Sequence, residues 1–193
     1  TNSTYSRSHG VVTNSEGAYP SSIVSWALDM NPALPVFDKE GNYIYENNTA
    51  RANNIGNPVQ DAYQSKNRNT ALKAIGSTYL EVKPIENLIL KTSFGVDYFA
   101  IKDQSFTPRE LKRAESNKGF GIIGNSDGYT WVWENTANYL KSINKHSFGA
   151  LLGFTVQKYT LENNISAAAD FEDGTSGFYD LSAGKLRQLM VSG

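Results

Sequence analysis

The chain has 193 residues, of which 39% are hydrophobic and 19% charged, and its 18 basic and 19 acidic residues leave a formal net charge of −1. This balance lacks the basic patch that a nucleic-acid groove requires, and the absence of cysteine excludes disulfides, thiol catalysis and thiolate metal sites. No apolar run approaches the ~18–20 residues of a transmembrane helix. The many uncharged polar residues, with 12% aromatics, favour an all-β protein with long polar loops.

Residues 1–69 are predicted to be a long polar loop that contains two short elements. The first is a helix over 23–28, whose start Ser21 or Ser22 would cap and whose end Asn31-Pro32 would set.

The second element is a short β-hairpin over 35–45, since 38–42 has turn chemistry between two short aromatic strands. Its Asp, Glu and Asn side chains make a calcium loop the alternative. The hairpin is preferred because the EF-hand spacing is missing and no second carboxylate cluster follows.

A longer hairpin is predicted over 70–101, where bulky apolar residues alternate with small or polar ones along 72–82 and 88–101. A short turn at 83–87 separates the two strands. The ionised residues all fall in one alternating set, which predicts a sheet with one apolar face: Lys73, Glu81, Lys91 and Asp97.

The remaining chain repeats this order of loop and hairpin. Residues 102–127 are predicted to be a loop, with a short helix that begins at Thr107 and has Pro108 in its first position. A second hairpin is predicted over 128–161 around a turn at 143–145. Residues 162–193 are rich in Gly, Ser, Asp and Asn and are predicted to be loop.

Long strands with short turns at one end and long loops at the other are typical of transmembrane β-barrels. The predicted strands run about 11–14 residues, against ~5–6 in ordinary globular sheets. A soluble antiparallel sandwich explains the alternation equally well, but it explains the strand length and the unequal loops less well. Aromatic residues lie near both strand ends, as in the interfacial girdles of barrels: Tyr98, Phe99, Tyr129, Trp131 and Trp133 at the long-loop end and Tyr139 at the other.

Three stretches resemble the barrel of SusC/RagA-type TonB-dependent outer-membrane transporters of Bacteroidetes. They are 34–43, 57–98 and 129–159, and they follow one another in that family's order. The motifs are YLE-x-KPI-x-NL followed by KTS-x-G-x-D, then WENT-x-x-Y, then KHSF-x-ALLGF-x-x-QK. Their concatenation is specific.

The resemblance implies a fragment of the β-barrel region, because the family's chains carry about 22 barrel strands as well as a plug domain and a TonB-contacting segment. The start of the chain, without an initiator Met or a signal pattern, agrees with that expectation. Four strands on their own would not close, so the isolated piece is not expected to transport.

The resemblance also implies a location, a function and partners. The location is the outer membrane of a Gram-negative bacterium of the Bacteroidetes. The function is nutrient uptake, namely import of oligosaccharides or peptides that is energised by TonB, with a SusD-like surface lipoprotein as partner. The loops 1–69, 102–127 and 162–193 would then face the lipoprotein, the substrate or the surroundings.

No constellation for catalysis is found. Glu81, Asp97 and Glu134 are predicted on lumen-side strand positions, but they are spread over separate strands, give no pair for hydrolysis and are interpreted as solvated or salt-bridged groups. His9 and His146, the two histidines, have no nearby Ser or acid arrangement that would make either of them a base, and two histidines alone make a poor metal site. The sequence therefore predicts no enzyme, no catalytic or metal-binding residue and no cofactor, and it identifies no substrate-binding residue.

Two further features have competing interpretations. The three glycines of 119–124 lack the preceding strand and following helix of a phosphate loop, so a flexible loop is preferred. Tyr129, Trp131 and Trp133 could stack on sugar rings, but a membrane girdle is preferred because the same face continues into Ala137.

The predicted fold class is therefore all-β, with antiparallel hairpins of a transmembrane β-barrel segment and long extracellular loops, and 1–193 as one partial barrel domain. The alternative is a soluble secreted β-sandwich that binds glycans through exposed aromatics. In the last predicted strand, Leu151 is the one lumen-side residue that the barrel scheme does not explain. The row expected to face outer-membrane lipid is Phe148, Ala150, Leu152, Phe154 and Val156.

Overall fold

Six strands pair in one antiparallel sheet, in the order in which they follow along the chain. The computed structural model describes residues 2–11, 23–46, 56–173 and 176–192. The sheet is not closed within these ranges, where the first and last strands are its outer strands. The strands are β1 (Asn2–Val11), β2 (Lys66–Ile85), β3 (Leu88–Thr107), β4 (Phe120–Ile143), β5 (His146–Ala169) and β6 (Leu186–Ser192). The fold class predicted from the alternation is thus confirmed.

The four central strands are longer than predicted. β2 and β3 have 20 residues each, and β4 and β5 have 24 each. Soluble sheets rarely use strands of this length, whereas a tilted strand needs ~9–11 residues to cross the hydrocarbon layer alone. The central strands therefore extend well beyond any membrane thickness.

The register of the sheet decides which side chains share a face, because residues directly opposite each other in an antiparallel pair point the same way. One row across β2 to β5 contains Val82, Leu90, Ala137 and Leu152. The next row, on the other face, contains Glu81, Lys91, Thr136 and Gly153. We call the face of Leu90 the apolar face and the face of Lys91 the polar face.

Two short turns lie at one end of the sheet, which we call the short-turn end. The turn between β2 and β3 is at 86–87, and the turn between β4 and β5 is Asn144-Lys145. Asn144 has a φ of +54°, a left-handed conformation that Asn tolerates better than most residues. The connections 12–65, 108–119 and 170–185 all leave from the opposite end, the long-loop end.

Two short helices lie in the connection between β1 and β2. The first, α1 (Ile23–Asp29), buries Trp26 and confirms the predicted helix; the proposed caps Ser21 and Ser22 lie outside the described residues. The second, α2 (Pro58–Gln64), was not predicted from the sequence. Its N-cap Asn57 accepts hydrogen bonds from the backbone N–H groups of Val59 and Gln60.

The hairpin predicted over 35–45 is present in a shortened form, as an isolated antiparallel bridge between Phe37 and Tyr43. The Asp38 carboxylate accepts hydrogen bonds from the backbone N–H groups of Asn42 and Glu40, at 2.7 and 2.9 Å. Chiefly the Asn42 backbone bond holds the pKa of Asp38 below its usual value. The Asp38 carboxylate thus stabilises the turn of the hairpin by accepting backbone hydrogen bonds, which agrees with the hairpin interpretation.

A small hydrophobic core lies at the long-loop end, on the apolar face. Phe106 and Phe171 meet edge to face with ring centroids 5.1 Å apart, and Phe178 and Ala168 complete the buried cluster. The connection 170–185, with its 3₁₀ turns Gly177–Tyr179 and Leu181–Ala183, thereby packs onto the ends of the central strands.

Three predicted loops are corrected by these bounds. Most of 102–127 is strand, which leaves 108–119 as the connection, and the helix expected from Thr107 is a 3₁₀ turn at Lys112–Ala114. Parts of 162–193 belong to β5 and β6, and 1–69 contains β1, α2 and the start of β2. The predictions fail there because backbone pairing with long neighbours continues the strands where apolar periodicity has ended.

Within the described ranges, no helix is long and apolar enough to cross a membrane.

Candidate functional site

The apolar face carries a band of large hydrophobic side chains that the described residues leave uncovered. Leu152 is 74% exposed, and Phe154 and Trp133 are 59% and 44% exposed. In the middle of the band, one row contains Thr78, Phe94, Trp133 and Val156. A contiguous exposed patch of this kind marks contact with a partner or a membrane. The band contains Leu80, Val82, Leu88, Leu90, Phe94, Val96, Trp131, Trp133, Ala137, Ala150, Leu152, Phe154 and Val156.

Polar groups within the band are few. The indole N–H of Trp133 would be costly to leave unpaired in hydrocarbon, and it has a hydrogen-bond acceptor. The indole Nε1–H of Trp133 donates to Oγ1 of Thr92, at 2.9 Å. Thr92, with Asn135, lines a shallow groove of about 410 Å³ whose other walls include Leu152 and Phe154. On the apolar face of β5, the first ionised residue that follows Phe154 towards the long-loop end is Lys158, in the row of Trp131.

Tyrosines flank the band at both ends. Tyr98 and Tyr129 are opposed in one row near the long-loop end, and Tyr139 lies in the row of Leu88 and Ala150 near the short-turn end. Tyr129 and Tyr139 are about ten residues apart on β4, or roughly 34 Å along the strand. A tilt of ~35–45° reduces this to about 25 Å, the height of the apolar band of outer-membrane barrels. The band and the two aromatic rows together have the dimensions of a lipid-facing surface.

The polar face carries the acidic candidates from the sequence, each beside a different neighbour. Asp97 forms an ion pair with Lys73, with Nζ and Oδ2 3.3 Å apart. Glu134 accepts a hydrogen bond from the hydroxyl of Ser93, at 3.3 Å. Glu81 is directly opposite Lys91 in the register. The carboxylates thus share a face but form no pair of the kind that hydrolysis needs.

Small residues on the polar face make room for larger neighbours. Gly128 is opposite Phe99, and a Cβ added there would lie 2.9 Å from Cε1 of the Phe99 ring. On β5, Gly153 and Thr155 are further small or polar residues of this face. Leu151 lies on this face and is 70% exposed; its apolar side chain is not explained by any described contact.

The two histidines are far apart in the sheet. Nδ1 of His9, on the outer strand β1, is 3.2 Å from Oγ1 of Thr70. His146 lies beside the short turn, where its ring centroid is 6.5 Å from that of Phe148. Among the described residues, no group of His, Asp and Glu is arranged to hold a metal ion.

The glycine-rich segment 119–124 has a structural role. Gly119 has a φ of +85°, and its N–H donates to the carbonyl of Ala114, at 3.0 Å. Gly121 lies directly beneath Leu181, where an added Cβ would be 2.6 Å from Cδ2 of that residue. Gly119 thus ends the connection 108–119, and Gly121 leaves room for Leu181 of the connection 170–185. Most of the segment is strand β4.

The structure also reveals an anchor between two connections at the long-loop end, which the sequence did not indicate. The carboxylate of Asp61, on α2, is buried and lies 2.9 Å from Nε of Arg113. Arg113 also donates from Nη2 to the hydroxyl of Ser65, at 2.7 Å, and its guanidinium lies 5.8 Å from the ring centroid of Phe120. Asp61 and Ser65 are about 50 residues from Arg113 in the sequence, so no local pattern pointed to the anchor.

The amino-acid sequence is similar to those of two TonB-dependent receptors. No protein-family model matches the chain. The TonB-dependent receptor P39 of Formosa agariphila is 29% identical over 143 residues, which cover 74% of this chain and 13% of that protein. The TonB-dependent receptor P26 of the same organism is 27% identical over 172 residues, which cover 86% of this chain and 17% of that protein. The chain spans less than a fifth of the length of these curated relatives.

The fold is similar to parts of two solved structures. One is the RagAB peptide transporter, with a TM-score of 0.61 and 22% identity over 81% of this chain and 18% of that chain. The other is the RagAB peptide importer in the open-open state, with a TM-score of 0.59 and the same coverage. The resemblance read from the motifs is thereby confirmed: in sequence the chain is similar to TonB-dependent receptors of Bacteroidetes, and in fold it is similar to a segment of a SusC/RagA-type transport barrel.

Proposed function

We propose that the chain forms part of the wall of an outer-membrane barrel that imports oligosaccharides or peptides, energised by TonB. The observation that carries the proposal is the uncovered apolar band, with tyrosine rows at its two ends and a polar face behind it. In this arrangement Leu152 and Phe154 contact lipid, and Gly153 and Thr155 line the lumen. The chain takes no catalytic part, since passage through a lumen requires polar walls and a path rather than reacting groups.

The paired charges suit the polar face to a watery lumen. An ion pair such as Lys73 with Asp97 leaves the local net charge near zero, so the wall neither repels nor traps a charged peptide or a neutral sugar by charge alone. Lys91 lies over the ring of Tyr79, 4.8 Å from its centroid, which holds an aromatic surface beside the path. Substrate choice would then depend on how such groups combine with those of the other strands.

The long-loop end is the side proposed to face a SusD-like surface lipoprotein. Barrels of this class have short periplasmic turns and longer extracellular loops, which assigns Asn144-Lys145 to the periplasm and α1 and α2 to the outside. The name of the solved RagAB structure describes a peptide transporter, which makes peptides one of the two substrate classes proposed here. The anchor of Asp61 and Arg113 would hold these connections as one surface for the lipoprotein.

A soluble β-sandwich receives no support from the architecture. Such a protein buries its apolar face against a second sheet, and the described residues form a single sheet. A membrane-facing role for Tyr129 and Trp131 therefore has more support than sugar stacking on an exposed soluble surface.

Single-cysteine labelling of the complete receptor that carries this segment tests the proposal, helped by the absence of cysteine from the chain. Leu152→Cys should react with a membrane-soluble maleimide and resist a charged one. Thr155→Cys, three residues further on the other face, should react with the charged reagent in open barrels. Reaction of both positions with the charged reagent in intact outer membranes would overturn the lipid assignment.

A further inference from the structure

The apolar face carries two basic residues just beyond the tyrosine row at the long-loop end. They are Arg7 on β1 and Lys102 on β3, which line one cavity of about 560 Å³ with Tyr98 and Leu72. Arg7 is opposite Leu72 in the register, and Lys102 is opposite Thr70, so both are on the apolar face. From the geometry we infer that these two residues form a basic site that binds the phosphate of a lipid headgroup in the outer leaflet.

The first step of the argument is height. Ala100, in the row of Arg7, lies about two residues beyond Tyr98, and Lys102 lies about four residues beyond it. At ~3.4 Å per residue and a tilt of ~35–45°, these positions are about 5 and 10 Å further from the membrane centre than the tyrosine row. Since aromatic girdles mark the edge of the hydrocarbon layer, the two cations are at the level of the headgroups.

The second step is that neither cation is held in an ion pair among the described residues. No ion pair joins Arg7 or Lys102 to a carboxylate in the part of the chain that the structure describes. Both side chains are exposed. By contrast, another cation at this end has aromatic partners, because Arg68 lies over the rings of Phe178 and Tyr179.

The third step concerns the acidic residues on the same face. Asp127 also lines the cavity, and Glu162 is its neighbour in the row. Two strands, β2 and β3, separate Arg7 from Asp127 in that row, or about 14 Å at the usual strand spacing. Lys102 is closer to the acidic side, because Asp127 is its diagonal neighbour on β4, about 7–8 Å away. Arg7 is therefore the cation of the cavity that lies away from the carboxylates, and Lys102 lies between the two.

The fourth step is the shape of the ligand. The cavity opens onto the same face as the apolar band, and Leu72 and Ala100 in its wall continue that band. A molecule with acyl chains can lie along the band and place its phosphate between Arg7 and Lys102. Soluble phosphate would gain only the charge contacts, so the site selects a phosphorylated lipid over the free ion.

The inference rests on the proposed function, since only a barrel wall brings this face against lipid. It is tested by native mass spectrometry of the complete receptor in detergent, titrated with diphosphoryl lipid A as the probe. The double variant Arg7→Gln with Lys102→Gln should bind the probe roughly 30-fold more weakly than the unchanged receptor. Lys73→Gln, which removes a cation of the same strands from the polar face, should leave the affinity unchanged.

Two ligand controls complete the experiment. Dephosphorylated lipid A should bind the unchanged receptor as weakly as diphosphoryl lipid A binds the double variant, and inorganic phosphate should not displace the bound lipid. Equal affinity of the double variant and the unchanged receptor would overturn the inference, as would binding that ignores the phosphate. Cysteine labelling at Leu152 and Thr155 in intact outer membranes that contain the same receptor separates this failure from failure of the proposed function, because it reports which face contacts lipid without involving the basic site.

Discussion

Trp133 and Thr92 are joined across two neighbouring strands by a hydrogen bond from indole Nε1 to Oγ1, 2.9 Å long. Both lie on the apolar face, amid side chains that would contact lipid. Hydrocarbon offers no alternative acceptor, so an indole N–H there needs a partner within the protein. The pair shows how a large aromatic residue is accommodated in the middle of the band.

Thr92→Val tests the value of this bond. The substitution keeps the shape of the side chain and removes the acceptor, which should lower the stability of the complete receptor by about 1 kcal/mol. Trp133→Phe, which removes the donor as well, should make Thr92→Val nearly neutral. A double-mutant cycle by urea unfolding in detergent or vesicles measures the coupling, and additive effects would contradict the bond's role.

The two faces should respond differently to a bulky charge. Phe154→Arg should cost about 2–4 kcal/mol, because Phe154 is opposite Asn135, midway between the Tyr129 and Tyr139 rows. Gly153→Ser, on the polar face beside it, should have little effect because a small hydroxyl remains hydrated in the lumen. Barrel assembly in the outer membrane, followed by heat-dependent migration on gels, provides the measurement. Equal sensitivity at both positions would be inconsistent with a one-sided lipid contact.

The buried pair of Asp61 and Arg113 should hold two connections together. Arg113→Met leaves the carboxylate of Asp61, which is 2% exposed, without its cation, and should destabilise this end by about 3–5 kcal/mol. Hydrogen exchange of the backbone of α2 should accelerate accordingly. Lys112→Met is the matched control, because its ion pair with Glu115 is more exposed and worth about 0–1 kcal/mol. Unchanged exchange in Arg113→Met would show that the connections are held by other contacts.

The contact of Gly128 with Phe99 should make β4 intolerant of a side chain at one position. Gly128→Ala places a Cβ 2.8 Å from the backbone carbonyl oxygen of Thr160 and 2.9 Å from the Phe99 ring, and should cost about 1–3 kcal/mol through overpacking. Gly124→Ala, on the same strand, meets nothing within 4 Å and should be tolerated. Unfolding of the two variants side by side checks the difference, and equal stability would refute the close packing.

The hairpin around Asp38 should weaken in acid. Because hydrogen bonds from Asn42 lower the folded-state pKa of Asp38 below 3.8, its value without these contacts, the charged form stabilises the turn at any pH above that value. This contribution is lost as the pH falls through the lowered folded-state pKa. The protection of the Asn42 amide, which is its exchange rate relative to the intrinsic rate at the same pH, should fall with that titration, whereas in Asp38→Asn the protection should no longer change with pH. A titration that persists in Asp38→Asn would assign it to another group.

The sequence by itself determined the all-β class, the two central hairpins and the faces of their strands. Alternation with period two requires only local chemistry, so Leu152 and Gly153 could be assigned to opposite faces from their order alone. The motifs also pointed to the family before any fold was known. These predictions depend on properties that neighbouring residues carry with them.

The tertiary structure alone decided where the strands end and what closes the long-loop end. Thr107 and Phe120 end and begin strands in segments without apolar periodicity, because backbone pairing with the neighbouring strand holds them. Asp61 meets Arg113, and Arg7 shares a cavity with Lys102, only after the chain has folded back over tens of residues. Contacts of this kind depend on register and connection geometry, which local sequence patterns do not encode.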